Sequence, residues 1–481
     1  MGKKVCIIGL DCAPPDLVFE KWKDDLPVLR GLMERGIYGP LESTIPPITI
    51  PAWTSMVTGK NPGRLGLYGM RNRKDYSYNG MIFANSLLVK EDPLWDILSR
   101  KGKKVILIGV PQTYPPKPVN GHMVTCFLTP DTNSSYTYPE SLKGEIRSWV
   151  GQYLFDVDNF RTEDKDESLR QIYEMTEKRF KVATYLVTEK EWDFFMMVEM
   201  GVDRIHHGFW KFHDPGHAKY EPGSKYQNAI RDYYIYVDRR IGDLLSRVGA
   251  ETTVLIVSDH GAKAMAGGVC VNEWLMKKGY LHLEQKPAGV TSFGKAKVDW
   301  KRTVAWGEGG YYSRIFLNVK GREPEGLIDP SDYEQTREEL RKGLEAITDE
   351  QDVNIGTKVY KPEEVYPETR GIPPDLIVYF GNLSWRSVGS IGLESILTFG
   401  NDTGPDDANH DMQGIFIMGM GGASGETVLG PGKSRRREGL NLLDVAPTVL
   451  HLMGLEVPQD MEGKVIEPQI QAPDVRLQTS D

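Results

Sequence analysis

Asp11, Thr49, Asp203, His207, Asp259, His260 and His410 are the residues of this chain whose side chains suit divalent cations or an oxygen nucleophile, and whose spacing lets them act together. Asp203 and His207 are four apart, so on one turn of helix they face the same way and can share an ion. Asp259 and His260 are adjacent and diverge unless the chain turns, which Gly261 permits. Three carboxylates, three neutral imidazoles and a threonine alkoxide would balance two divalent cations. A mixed nitrogen and oxygen set suits zinc or manganese better than magnesium or calcium. Each residue alone also has an ordinary reading: an aspartate at a strand end is usually a turn residue or helix cap, and Asp203 with His207 fits a surface pair. The joint occurrence carries the metal reading. His206, His213 and His217 lie in polar sequence equally open to solvation, and His122, His282 and His451 read as structural.

Thr49 opens the stretch Thr-Ile-Pro-Ala-Trp-Thr-Ser-Met-Val-Thr-Gly. Pro51 suits a first helical turn and Gly59 the left-handed residue that closes a helix, so the spacing puts Thr49 at or just before the N-cap. A hydroxyl there stands beside unpaired N–H groups and the positive end of the helix dipole, where an oxyanion is favoured. Threonine is also an ordinary N-cap.

These residues need elements that bring them to one place. Val5–Leu10, Lys104–Val110, Asp193–Glu199 and Thr252–Ser258 are continuous apolar runs, the pattern of strands buried on both faces of a parallel sheet. Helical spacing at Leu26–Gly36, Pro93–Lys101, Leu169–Glu189 and Lys225–Val248 alternates with them. Several of these runs end in or near an aspartate, and in a parallel sheet those ends share the edge where ligands bind. Gln112–Glu167 shows no sustained period and reads as surface excursions. From Ala262 to Pro373 the pattern shifts to mixed segments, with a strand at Arg314–Val319 and a helix at Ser331–Ile347, as in an inserted lobe. Pro374–Phe380 is read as the main sheet resuming, followed by Ile415–Gly419 and an amphipathic helix at Leu442–Met453.

The chain is 40% hydrophobic and 26% charged, an ordinary globular balance. A net charge of -9 argues against scaffold binding to nucleic acid or anionic membrane, so an anionic substrate must be met by local cations. The four cysteines have no paired spacing, which fits a reducing compartment. No run reaches the roughly 18 apolar residues of a membrane span, and the first apolar run is short for a signal segment. A cytoplasmic location is the expectation.

The ordered set Gly-Leu-Asp11, Thr49-Ile-Pro-Ala-Trp-Thr-Ser-Met-Val-Thr-Gly, Asp203-Arg-Ile-His-His207, Ser-Asp259-His260-Gly and Asn-His410 resembles the alkaline phosphatase superfamily. Within it the chain is most similar to the type I phosphodiesterase/nucleotide pyrophosphatase family, from about Val5 to Gly463, and Leu-Leu-Asp444-Val-Ala-Pro-Thr-Val-Leu recurs across the superfamily. The resemblance implies an α/β alkaline-phosphatase-like three-layer sandwich with a mostly parallel central sheet. Residues 1–261 and 374–468 would form the catalytic core, 262–373 a smaller substrate-side lobe and 469–481 a loose tail. It implies that Asp203, His207 and His410 hold one metal and that Asp11, Asp259, His260 and Thr49 hold the other. Both ions would be divalent, zinc or manganese. The activity implied is hydrolysis of a small phosphodiester or pyrophosphate through a phosphothreonine on Thr49.

Two departures stand out. Family members carry an asparagine after the nucleophile helix where this chain has Met70, which leaves Arg71 and Asn72 just beyond as the expected substrate-binding residues. They also have Asn-His where this chain has Ala52-Trp53. A sulfatase would need arginine within Cys12-Ala-Pro-Pro-Asp16, which is absent. A phosphoglycerate-mutase-like phosphotransferase would use serine and a larger intervening domain. A phosphomonoesterase of the superfamily and a non-catalytic binding protein on the same fold complete the alternatives.

Overall fold

The computed structural model describes residues 3–421 and 435–467. Its centre is a ten-stranded sheet. From one side the strands run Arg435–Arg436, Ile37–Glu42, Gln413–Met420, Thr253–Val257, Val5–Leu10, Phe194–Glu199, Val105–Ile108, Gly121–Val124 and Thr137–Tyr138, with Leu440–Asn441 also on Ile37–Glu42. Thr253–Val257 through Gly121–Val124 are mutually parallel, whereas Gln413–Met420 runs antiparallel to both its neighbours. Every residue of Val5–Leu10, Phe194–Glu199 and Thr253–Val257 is buried, so both faces of the sheet are covered. The helix Pro27–Arg35 packs on Gln413–Met420, and Lys165–Glu189 packs on Val105–Ile108 and Phe194–Glu199. This is the expected mostly parallel α/β architecture.

Register decides where the chemistry lands. Leu10 is level with Glu199 and Gly9 with Val257, so Asp11, the helix Gly201–His213 and Ser258–His260 all leave the sheet at one edge.

A second, four-stranded antiparallel sheet is made by Ala305–Glu308, Ser313–Leu317, Leu376–Tyr379 and Lys358–Tyr360. It has its own apolar cluster, including Trp274, Trp306, Ile315, Leu340 and Leu376. Leu376–Tyr379 therefore belongs to the smaller sheet, not to the main one that was expected to resume at 374. The main sheet resumes at Gln413. The stretch 112–167 also differs from expectation, since it supplies the edge strands Gly121–Val124 and Thr137–Tyr138 and the helix Leu142–Val150. The tail expected at 469–481 lies outside the described residues. No helix among the described residues is long and apolar enough to cross a membrane.

Candidate two-metal site

Asp11 directly follows the strand Val5–Leu10 and is fully buried. Asp259 and His260 follow Thr253–Val257 one strand away. Asp203 and His207 sit on one face of the helix Gly201–His213, with His207 Nε2 3.1 Å from Asp203 Oδ1. His410 arrives on a short strand, Ala408–Asp411, paired antiparallel with Gly261–Ala264 so that His410 lies opposite Ala262. The chain bends at Asp259, and Gly261, which opens the strand Gly261–Ala264, has no room for a side chain: a Cβ there would lie 2.1 Å from the Gln413 carbonyl oxygen.

Thr49 begins the buried helix Thr49–Thr58, which Gly59 closes at a φ of 66°. Ile48 holds the N-cap position and no side chain caps that end, so Thr49 is one residue inside the helix and its hydroxyl is not used as a cap. Thr49 Oγ1 instead lies 3.5 Å from His260 Nε2.

The seven residues converge. Donor atoms of Asp11, Asp259 and His260 all lie within 4.8 Å of one another, as do those of Asp203, His207 and His410, which Cys12 joins. The groups touch through the His260 and His410 rings, stacked 3.8 Å apart.

The hydrogen bonds fix which atoms remain free. His260 Nδ1 donates to the Gly261 carbonyl at 3.1 Å, and His410 Nδ1 donates to the Pro47 carbonyl at 2.8 Å. His207 Nδ1 donates to Asp406 Oδ1 at 2.7 Å and lies 3.1 Å from the Ala408 carbonyl. All three imidazoles thereby have Nδ1 taken up by an acceptor behind the ring and Nε2 turned inward, as metal-binding histidines are held. Trp53 Nε1 donates to Asp11 Oδ2 at 2.7 Å, and the Cys12 amide donates to Asp259 Oδ1 at 3.2 Å. Asp11 Oδ1, Asp259 Oδ2 and His410 Nε2 are buried without any hydrogen-bond partner. Unpaired buried lone pairs on side chains of both donor groups are costly, and cations bound by the two groups would satisfy them. The residues fit a divalent metal centre.

Packed together in a buried site, these groups shift one another's proton affinities strongly. Burial, then Asp203, pushes the Asp11 carboxyl well above the usual range, and burial, then Asp11, does the same to Asp259. Burial also raises Asp203, but His207 and Arg204 outweigh it and hold that carboxyl well below its ordinary value. His260 is pushed down to about 4 by burial, and His410 well down by burial and then by His260. Burial lowers His207 too, yet Asp406 and Asp203 outweigh it and raise it to about 9.

Beside this centre opens a cleft of about 650 Å³, lined among others by Ile48, Met70, Arg71, Phe83, Tyr311 and Arg386. Arg71 stands in it, with Nη2 3.2 Å from Glu308 Oε2. Asn72 is buried, and its amide is taken up by its own loop: Oδ1 accepts from the Tyr68 amide at 2.7 Å and Nδ2 donates to the Gly69 carbonyl at 3.0 Å. Each end of the Asn72 amide thus makes one bond within its own loop, and Asn72 is not among the residues that line the cleft.

Sequence reasoning missed several supporting residues. Asp406 is held by Arg161 Nε at 2.9 Å and by the Tyr311 hydroxyl at 3.1 Å, and Tyr311 stacks on both His207 and His410. Arg204 binds Asp203 and, through Nε at 2.8 Å, Asp156. His206 and His217 are buried, with His206 Nε2 3.3 Å from the Tyr234 hydroxyl and His217 Nε2 donating to the Asp407 carbonyl at 3.0 Å. Asp406, four residues before His410, was visible as a carboxylate, but nothing in the sequence ties it to His207.

The defining pattern of the type I phosphodiesterase/nucleotide pyrophosphatase family matches residues 5–409. No curated protein matches the chain. Among solved structures, human ectonucleotide pyrophosphatase/phosphodiesterase 5 is similar at 14% identity over 95% of this chain and 96% of that one, with a TM-score of 0.52. Murine ectonucleotide pyrophosphatase/phosphodiesterase 5, in an inactive form in complex with AMP, is similar at 12% identity over the same shares, with a TM-score of 0.53. At such identities the likeness bears on the fold, an alkaline-phosphatase-like one. With that fold, a buried cluster of metal-type ligands and a family match across most of its length, the chain belongs to the type I phosphodiesterase/nucleotide pyrophosphatase family and is a phosphoric ester hydrolase.

Proposed function

We propose that this hydrolase cleaves phosphodiester or pyrophosphate bonds by double displacement, with Thr49 as the nucleophile between two divalent cations. The observation that carries this reading is the position of Thr49 Oγ1, uncapped at a helix start and 3.5 Å from Nε2 of His260, whose ring belongs to one donor group and stacks on His410 of the other. Asp11, Asp259, His260 and Thr49 would hold one cation, and Asp203, His207 and His410 the other. When bound, such ions lower the pKa of a nearby hydroxyl and stabilise the attacking and leaving oxygens of an in-line displacement. The donor set favours zinc, with manganese next.

Thr49 Oγ attacks phosphorus, the ester oxygen leaves, and water then displaces Thr49 from the other side, so configuration at phosphorus is retained. The N–H groups at the start of the Thr49–Thr58 helix face the charge that develops on the non-bridging oxygens. His207 is kept in orientation by Asp406, which Arg161 and Tyr311 hold in turn. A diester is favoured over a monoester because the adjoining cleft offers Met70, Phe83 and Arg71 to a second esterified group. The AMP complex of the murine protein makes nucleotide diesters the first substrates to try.

Replacing Thr49 with alanine tests the assignment. We expect Thr49→Ala to fold, to keep most of its bound metal and to lose turnover of an aryl phosphodiester by several orders of magnitude. Thr49→Ser should keep part of it. Normal turnover by folded Thr49→Ala would remove Thr49 from the chemistry.

A further inference from the structure

Cys12 has no part in the mechanism above, and the sulfatase-type reading of its motif fails for want of an arginine. It is nevertheless fully buried at the centre of the site. Its Sγ lies within 4.8 Å of donor atoms of Asp203, His207 and His410, whereas Cys6, Cys126 and Cys270 join no such group among the described residues. The backbone at Cys12 has a φ of 67°, a left-handed conformation in which glycine would be at ease and a side chain is uncommon. The neighbouring bonds impose it: the Asp11 amide donates to the Glu199 carbonyl at 3.1 Å, the Cys12 amide to Asp259 Oδ1 and the Ala13 amide to Ser258 Oγ at 2.8 Å. That turn aims the thiol into the cluster where His410 Nε2, also buried, lacks any partner. The thiol donates weakly to the Gly261 carbonyl at 3.4 Å and also lies within hydrogen-bonding reach of the Asp203 carboxylate.

From this we infer that Cys12 is a sulfur ligand of the cation held by Asp203, His207 and His410. The inference rests on the metal-dependent reading and deepens it. On binding, the sulfur–hydrogen bond breaks, the proton passes to solvent and the thiolate forms a bond to the metal; no redox change occurs. A thiolate beside two imidazoles and a carboxylate is a softer set than oxygen and nitrogen alone. It selects zinc over manganese or magnesium at that position.

The test uses cobalt(II) and zinc(II) on the full-length, metal-stripped protein. Wild type loaded with cobalt should show a sulfur-to-cobalt charge-transfer band in the near ultraviolet, and Cys12→Ala and Cys12→Ser should lack it while still binding cobalt. Zinc X-ray absorption on the wild type should contain a zinc–sulfur distance of about 2.3 Å, a readout that needs no variant to fold. The zinc affinity of Cys12→Ser should fall by at least roughly 10-fold to 100-fold, the cost seen for lesser changes around such sites, and its manganese affinity much less. Cobalt or zinc bound at full stoichiometry without a sulfur signal would overturn the ligand assignment and leave the two-metal site standing. A charge-transfer band that persists in Cys12→Ala would also overturn it. A protein that binds neither ion would sink both readings.

Discussion

Trp53 shows how one residue can serve both packing and chemistry. Its ring is fully buried, and its Nε1 holds Asp11 Oδ2 at 2.7 Å, which leaves Oδ1 turned into the cluster. Partners of this kind orient a ligand and typically contribute 10-fold to 100-fold in metal affinity. We expect Trp53→Phe to keep the fold and to weaken metal binding by roughly that factor, measured by competition with a chelator. A drop in melting temperature with unchanged metal affinity would make Trp53 a packing residue alone. The side chains that converge at the candidate site were legible in the sequence because carboxylates at strand ends and an Asp–His pair four apart are local signals. Their supporters were not. Two of the acceptors that set the histidine tautomers are backbone carbonyls of Pro47 and Gly261, and the third, Asp406, is 199 residues from His207. Proximity in sequence could not show that each end of the Asn72 amide makes a bond within its own loop.

At the scale of elements, the strand Val5–Leu10 and the helix Thr49–Thr58 are fitted to each other at Gly9. A Cβ on Gly9 would stand 2.4 Å from Trp53 Cη2 and 3.0 Å from Val198 Cγ2. Gly9→Ala should therefore cost about 1–3 kcal/mol by overpacking and displace Trp53 from Asp11. Phenylalanine lacks the clashing atom, so a double-mutant cycle of Gly9→Ala with Trp53→Phe, read by denaturant unfolding, should show strong coupling. Additive losses would mean that the strand and helix meet elsewhere. The long apolar strands were readable because burial on both faces leaves an unbroken hydrophobic run. The same run at Leu376–Tyr379 misled, since such a pattern reports burial and not the sheet in which the strand is buried. Gly121–Val124 and Thr137–Tyr138 were missed because two to four residues carry no period.

Across the whole molecule, folding gathers Asp11, Asp203 and Asp259 at one buried edge of the sheet, and their charges make stability depend on pH and metal. Asp11 and Asp259 have carboxyl groups held well above the ordinary range by burial and neighbouring aspartates. A carboxyl raised in the folded state binds more protons folded than unfolded, so its contribution to stability declines as pH rises from the unfolded value through the folded one. His207, raised to about 9, acts the same way: its stabilising share is present at low pH and is lost as pH climbs through that value. A bound cation reverses the penalty by taking the place of those protons. The difference in melting temperature between metal-loaded and chelated protein should thus widen from pH 5.5 to pH 8. A constant difference would contradict the charge arrangement. The central claim is a double displacement through Thr49, and the stereochemistry of one turnover tests it most directly. Hydrolysis of a phosphorothioate diester chiral at phosphorus, in isotopically labelled water, should proceed with net retention, because two in-line displacements each invert. Net inversion would mean that water attacks the substrate directly, and Thr49 would not be the nucleophile.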